Sequence, residues 1–187
     1  ADGSEYRGDY RLTEKEYHDF HRRRVEIFIE AGADIIAFET VPSYEEACAI
    51  ASLMEEFGDR EYWISFTVKD SEHISCGRTF ADCMRMLNGR SNLAAAGINC
   101  SAPSLFTPLL ESAADITDKP FIVYPNSGEM YSPVDQKWYG ESRPEQIGIL
   151  AHEWYGLGAR IIGGCCRTGP DDTAMLYAAR KSMKLRS

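Results

Sequence analysis

Helical and strand-like hydrophobic patterns alternate along the chain. Thr13 with Glu16, and Ser43 with Glu46, form capping-box patterns at the start of two segments whose apolar residues recur at helical spacing. The complete set of predicted helices covers residues 13–31, 43–58, 80–87, 105–116 and 144–158, with a last helix starting at Pro170. The short apolar runs between them predict buried strands over residues 33–40, 62–68, 93–99, 121–124 and 160–163.

This order, one helix followed by five strand–helix units, predicts an α/β fold with a parallel sheet. No glycine-rich phosphate-binding fingerprint follows any of the strands, which disfavours a nucleotide-binding function. Two architectures remain at this point, an open doubly wound sheet and part of a (β/α)₈ barrel. A whole barrel takes about 250 residues, so a barrel interpretation implies that about three strands are missing from the amino-terminal end.

Composition and charge exclude some classes of function. The 187 residues include 20 Lys or Arg and 29 Asp or Glu, a formal charge of −9, and 44% are apolar. An acidic surface repels phosphate backbones, so we expect no nucleic-acid partner. No apolar run approaches the roughly 20 residues that span a bilayer, and the chain opens on polar residues without a signal peptide. We therefore expect a cytoplasmic protein without a membrane partner.

Three cysteines follow predicted strands, at the edge of a parallel sheet where chemistry collects. Cys100 follows the third strand, and Cys165 and Cys166 follow the fifth, directly after Gly163 and Gly164. Adjacent residues of a strand point to opposite faces, and the two glycines permit the break that lets both thiols reach one ion. Three thiolates favour zinc and leave one coordination position open, as in catalytic sites. The alternative is that these cysteines are small buried residues.

The remaining candidates carry less specific signals. Cys48, Cys76 and Cys83 are interpreted as core residues, and no histidine is assigned to the metal. Glu39 ends an apolar run, so we do not expect a solvated surface charge there; it is a candidate for binding a substrate ammonium, or for a structural ion pair. Aromatic residues around the fourth strand could bind a cationic ligand through their ring faces: Tyr124, Tyr131, Trp138 and Tyr139.

At these strand ends the sequence resembles the zinc-dependent homocysteine S-methyltransferase family. The segments that carry the resemblance lie in the family's order over most of the chain: 32–40, Gly97-Ile98-Asn99-Cys100, 123–129 and Gly163-Gly164-Cys165-Cys166-Arg167. The opening residues 1–8 and the run 70–73 are most similar to the branch that uses S-methylmethionine as methyl donor.

The resemblance implies a (β/α)₈ barrel, of which residues 1–187 form the carboxy-terminal part, about five βα units of one homocysteine-binding domain. The first three strands are then absent, and the amino-terminal part of the same barrel is expected as a partner. The resemblance also implies that Cys100, Cys165 and Cys166 hold Zn²⁺ and that Glu39 binds the homocysteine amino group. Asn99 and Ser127 would lie close to the bound substrates. The oligomeric state does not follow from the sequence.

The chemistry of such a site indicates how it would work. A thiol with a pKa near 8.5 is mostly protonated at neutral pH, whereas a coordinated thiol loses its proton. Homocysteine thiolate would attack the methyl group of a sulfonium donor, and S-methylmethionine plus homocysteine would give two methionines without a general acid. The alternatives are another donor (S-adenosylmethionine, betaine or a folate-linked methyl group) or a non-catalytic zinc-binding fragment.

Overall fold

The computed structural model of the chain describes residues 6–132, 137–140 and 144–183. The helices in these ranges are α1 (Glu14–Glu30), α2 (Tyr44–Glu56), α3 (Phe80–Leu87), α4 (Phe106–Ala113), α5 (Pro144–Gly156) and α6 (Pro170–Ser182). The strands are β1 (Ile36–Val41), β2 (Tyr62–Phe66), β3 (Leu93–Asn99), β4 (Phe121–Tyr124), β5 (Met130–Ser132), β6 (Lys137–Tyr139) and β7 (Ala159–Ile162).

The main sheet has five parallel strands that lie side by side in chain order, β1-β2-β3-β4-β7. Each strand is followed by a helix, and each helix from α1 to α6 packs against the next one along the chain. A doubly wound sheet reverses its strand order at a switch point, whereas a barrel keeps the sequential order. The α/β prediction with five βα units is confirmed, and the strand order is that of a barrel.

The hydrophobic core lies between the helices and the outer face of this sheet. On β2, the side chains of Tyr62, Ile64 and Phe66 are fully buried against this layer. The alternate residues point to the opposite, inner face. On β1 this inner face carries Ala37 and Glu39, which are exposed. The inner face and the carboxyl edge of the sheet are therefore where polar residues can meet a ligand.

The two predicted capping boxes have different outcomes. Thr13 and Glu16 form the complete box, with the Thr13 side chain accepting from the Glu16 backbone and the Glu16 carboxylate accepting from the Thr13 backbone. At α2, Ser43 Oγ accepts a hydrogen bond from the Glu46 backbone N–H. The reciprocal prediction for Glu46 is wrong, because its carboxylate contacts His21 at 2.9 Å instead.

Several boundaries also differ from the sequence prediction. The first strand begins at Ile36 rather than residue 33, because Gly32 has φ +83° and the Ala33 N–H bonds back to Phe28 O in a helix-terminating turn. The helix predicted over 105–116 begins as a 3₁₀ turn, Pro103–Leu105, and its α-helical part ends at Ala113. The antiparallel pair β5–β6 was not predicted.

Some sequence features lie outside the described residues. These are residues 1–5 of the opening segment and the side chains of Tyr131 and Trp138 from the aromatic group. In the part of the chain that the structure describes, no helix combines the length and apolar character that a membrane crossing requires.

Candidate metal centre

Three cysteine sulfurs meet at the carboxyl edge of the sheet. Cys100 directly follows β3, and Cys165 and Cys166 lie in the loop after β7. The three Sγ atoms lie within 4.8 Å of one another, and Cys100 Sγ is 3.3 Å from Cys166 Sγ. Within the described residues, these three cysteines form a group whose side chains are close enough together to hold a metal ion. The structure thus brings the three predicted ligands together from two strands that are not neighbours in sequence.

Local backbone geometry turns these thiols toward each other. Cys100 has φ +51°, a left-handed conformation that takes it out of the strand, and its N–H donates to Tyr124 O at 3.1 Å. At the other loop, β7 has ended before the glycine pair. A Cβ on Gly164 would lie 2.3 Å from Thr168 Oγ1, so only glycine fits there. The Thr168 hydroxyl donates to Cys165 O at 2.8 Å and closes the loop.

The thiols differ in how readily they ionise. A hydrogen bond from Cys100 to Cys165 lowers the pKa of Cys165, and the same bond raises the pKa of Cys100. Burial raises the pKa of Cys166. Binding of a cation requires all three thiols to be deprotonated.

Ser127 connects the β4 loop to the cysteine pair. Its N–H donates to Cys166 O at 3.1 Å, and the Cys165 N–H donates to Pro125 O at 2.8 Å. The Ser127 side chain is buried, and its hydroxyl donates to the Glu129 carboxylate at 2.8 Å. These contacts place Ser127 beside the cysteine pair, where its N–H holds the backbone of Cys166.

Glu129 and Arg167 form a two-point ion pair that the sequence analysis did not identify. Arg167 donates from Nε at 3.2 Å and from Nη2 at 3.1 Å, each to a different Glu129 oxygen. The guanidinium lowers the pKa of Glu129, so the carboxylate stays charged at neutral pH. The sequence did carry a signal for this pair. Glu129 and Arg167 have opposite charges and follow two neighbouring parallel strands, so both lie at the carboxyl edge of the sheet.

Glu39 lies in a β-bulge at the end of β1. The register steps from Phe38, opposite Ile64, to Val41, opposite Phe66, so β1 has one more residue than β2 there. Bulges re-aim side chains and are frequent beside active sites. The structure corrects one expectation: Glu39 is exposed on the inner face, because its side chain points away from the helix layer. Its carboxylate is therefore accessible to a ligand.

Asn99 fixes the residue next to Glu39. Its Oδ1 accepts from the Thr40 N–H at 2.9 Å, and its Nδ2 donates to Thr40 Oγ1 at 2.9 Å. Thr40 has φ +63°, a conformation that is costly for a β-branched residue. Asn99 itself is buried, with 1% of its surface exposed. The buried amide therefore holds the bulge that carries Glu39.

Tyr124 adds a second polar group to the inner face. Its hydroxyl forms a hydrogen bond with Ser65 Oγ of β2. Burial raises the pKa of Tyr124, and the negative charge of Glu39 raises it further, so the phenol stays protonated. Glu39, Ser65 and Tyr124 thus form a polar group across three strands, close to the cysteine edge.

The remaining sequence candidates lie elsewhere. The other three cysteines are on α2 (Cys48), in the loop after β2 (Cys76) and on α3 (Cys83). Each histidine has a partner away from the cysteine cluster: His18 with Glu56, His21 with Glu46, His73 with Asp70 and His152 with Ser182. Of the described aromatic side chains near β4, Tyr124 faces the inner surface and Tyr139 is exposed.

Tyr6 reaches the cluster from outside the helices and strands. Its hydroxyl lies 3.2 Å from Cys100 Sγ, although 94 residues separate the two in sequence. No hydrophobic pattern marks this position, and its only sequence signal was its place in the opening segment that carries the family resemblance.

Comparisons with known proteins show what the chain is similar to. The family model described as homocysteine S-methyltransferase matches residues 1–180. The chain is 47% identical over 184 residues to the homocysteine S-methyltransferase YbgG of Bacillus subtilis, covering 98% of this chain and 58% of that protein. It is 44% identical over 179 residues to the homocysteine S-methyltransferase of Escherichia coli, covering 95% and 58%.

A solved structure shows the same arrangement of the chain. The metallated form of the homocysteine methyltransferase MmuM from Escherichia coli superposes with a TM-score of 0.81 at 41% identity, covering 95% of this chain and 56% of that one. The chain thus spans a little over half the length of these relatives. The match of the family model over nearly the whole sequence shows that this chain belongs to the homocysteine S-methyltransferase family.

Proposed function

We propose that this chain provides the metal-binding and homocysteine-binding part of a homocysteine S-methyltransferase barrel. The observation that carries the proposal is the convergence of three cysteine sulfurs at the carboxyl edge of a barrel-type sheet, in a chain of this family. Residues 1–187 would form the carboxy-terminal part of one barrel domain, and the amino-terminal strands would complete the same site.

The donor set fits zinc, with Cys100, Cys165 and Cys166 as its ligands. With zinc–sulfur bonds of about 2.3 Å, two ligands of a tetrahedral site lie about 3.8 Å apart. Sulfurs that already lie within 4.8 Å of one another need only small adjustments to reach that spacing. Three protein thiolates leave one position for a substrate sulfur, and when bound the zinc would keep that sulfur deprotonated at neutral pH.

Glu39 is the proposed partner of the homocysteine ammonium group. Its carboxylate is exposed on the inner face, and the neutral Tyr124 hydroxyl beside it adds no competing charge. The bulge and the two hydrogen bonds between Asn99 and Thr40 fix its direction. Direct contact of Asn99 and Ser127 with the substrates stays a prediction, and their observed contacts support a role in positioning.

S-methylmethionine is the proposed methyl donor. Homocysteine sulfur forms a bond to the methyl carbon while the bond from that carbon to the sulfonium sulfur breaks. The bonding electron pair stays on the donor sulfur. Both products are therefore methionine, with an uncharged thioether sulfur, and no proton has to be delivered to the leaving group. The lack of a histidine at the site among the described residues is consistent with this reaction.

The test combines metal analysis with methyl transfer on the purified barrel, that is, on this chain together with its amino-terminal strands. We expect one zinc per chain, release of protons when zinc is added to the metal-free protein, and labelled methionine from S-methylmethionine and homocysteine. Cys100→Ser should lose both the zinc and the methyl transfer. Cys48→Ser, on α2 and outside the cluster, is the matched control and should retain both.

Two results would contradict the proposal in different ways. Unchanged zinc content in Cys100→Ser would show that the cluster is not the metal centre. Transfer from S-adenosylmethionine, betaine or a methylated folate, with none from S-methylmethionine, would overturn the donor assignment and leave the metal centre standing.

A further inference from the structure

The segment before α1 lies at the carboxyl edge of the sheet, and its first described residue, Tyr6, contacts the cysteine cluster. Tyr6 places its hydroxyl 3.2 Å from Cys100 Sγ, and 47% of the residue is exposed. The Tyr6 hydroxyl is thus close enough to Cys100 Sγ for a hydrogen bond.

Two anchors hold this segment in place. Gly8 has φ +63°, and a Cβ there would lie 2.6 Å from Pro42 O, so the backbone passes closer to the β1–α2 connection than another residue allows. The Tyr10 hydroxyl donates to Glu46 at 3.0 Å at the beginning of α2. The position of Tyr6 over the cluster is therefore set by contacts on both of these residues.

The chemistry of a thiolate site explains what such a donor does. Three thiolates around a divalent cation leave a net charge of about −1, and a fourth thiolate from a substrate makes it about −2. A hydrogen bond to sulfur spreads this charge and stabilises the deprotonated ligand. Groups that contact metal ligands in this way commonly change metal affinity by about 10–100-fold when they are removed.

We propose that Tyr6 is a positioning residue of the metal centre, which donates a hydrogen bond to the Cys100 thiolate and stabilises the metal-bound form of the cluster. The proposal rests on the proposed function of Cys100, Cys165 and Cys166 as metal ligands. It assigns to the segment before α1 a role in metal retention.

The experiment uses Co²⁺ as the probe, because its thiolate charge-transfer absorption reports on the sulfur ligands directly. Tyr6→Phe removes only the hydroxyl. We expect at least a tenfold weaker affinity for Co²⁺, and a charge-transfer band displaced to lower energy because the sulfur electrons are less stabilised. Tyr177→Phe removes a hydroxyl from the exposed surface of α6, and it should leave the band in place and the affinity within threefold.

The outcomes separate this inference from the proposed function. Absence of Co²⁺ binding by the unmodified protein would overturn the metal centre and this inference with it. Normal binding by the unmodified protein, with an unchanged band and affinity in Tyr6→Phe, would overturn the role of Tyr6 alone. Equal effects of Tyr6→Phe and Tyr177→Phe would also refute the hydrogen bond, because Tyr177 lies on the exposed surface of α6. Both variants should unfold at the same temperature as the unmodified protein, which checks that they are folded.

Discussion

Replacing Asn99 by alanine tests whether a buried amide positions the substrate-binding carboxylate. The change removes both hydrogen bonds to Thr40 and leaves the Thr40 N–H without the acceptor it has in the structure. It also removes the contacts that hold Thr40 at φ +63°. The bulge that carries Glu39 should then relax toward regular strand geometry.

The expected cost follows from these contacts. Each lost hydrogen bond contributes about 0.5–1.5 kcal/mol, and the space left by a side chain that is 1% exposed adds to this. Asn99→Ala should therefore lower the free energy of unfolding by about 2–3 kcal/mol. With a urea dependence of about 2 kcal/mol per molar, the unfolding midpoint should fall by about 1 M.

Asn92 provides a matched control for the effect on function. It is also a buried asparagine, 7% exposed, and its Nδ2 donates to Met54 O at 2.9 Å and Gly58 O at 3.2 Å, before β3 and away from the carboxyl edge. Asn92→Ala should lose a similar amount of stability. Only Asn99→Ala should raise the KM for homocysteine, by about tenfold, because only this variant frees Glu39.

Urea unfolding followed by circular dichroism measures the stability, and steady-state kinetics with varied homocysteine measures the KM. A stability loss below about 0.5 kcal/mol in Asn99→Ala would show that the hydrogen bonds to Thr40 are not what holds the bulge. Equal changes of KM in the two variants would refute the specific link between Asn99 and Glu39.

Two further predictions concern the charged groups at the carboxyl edge. Glu39→Gln should raise the KM for homocysteine at least tenfold with unchanged zinc content, measured by kinetics beside metal analysis; an unchanged KM would assign Glu39 to structure. Arg167→Ala breaks the ion pair with Glu129 and should weaken zinc binding about tenfold in a chelator competition, with little change in stability because Arg167 is half exposed. Arg85→Ala, which breaks the exposed pair with Asp82 on α3, should leave zinc binding unchanged, and an equal loss in both arginine variants would refute the positioning role.

Much of the fold could be predicted because its signals are local. The apolar spacing over residues 80–87 predicts α3, and the helix occupies these residues. The strands β3 and β4 also match, since each is a short apolar run between turn residues. The hairpin β5–β6 could not be predicted in this way, because strands of three residues are too short to show an alternating pattern.

The predictions that failed depend on contacts between distant residues. Ser43 and Glu46 have the spacing of a capping box, but the Glu46 carboxylate binds His21 of α1 and Tyr10 of the preceding segment. A partner 25 or 36 residues away is invisible to a local pattern. The same reason explains why Tyr6 was not identified at the cysteine cluster, since no periodicity relates it to Cys100.

The backbone conformation at the site is the feature that could be predicted least from the sequence. In the described residues, the non-glycine positions with positive φ are Thr40, Cys100 and Arg167, and all three lie at the carboxyl ends of strands. Each such conformation costs about 1–3 kcal/mol and persists only where neighbouring groups enforce it. Asn99 enforces it at Thr40.

Cys100 shows why this strain belongs to the site. The Cys100 N–H is held by Tyr124 O, and the next residue, Ser101, accepts from the Asn126 N–H at 3.0 Å, so β4 and its loop fix both sides of the left-handed turn. A cysteine continuing β3 in extended geometry would direct its sulfur along the sheet face instead of toward the β7 loop. Three strand ends bonded to one another thus convert an otherwise unfavourable conformation into a preorganised set of thiols, which reduces the reorganisation that metal binding would require.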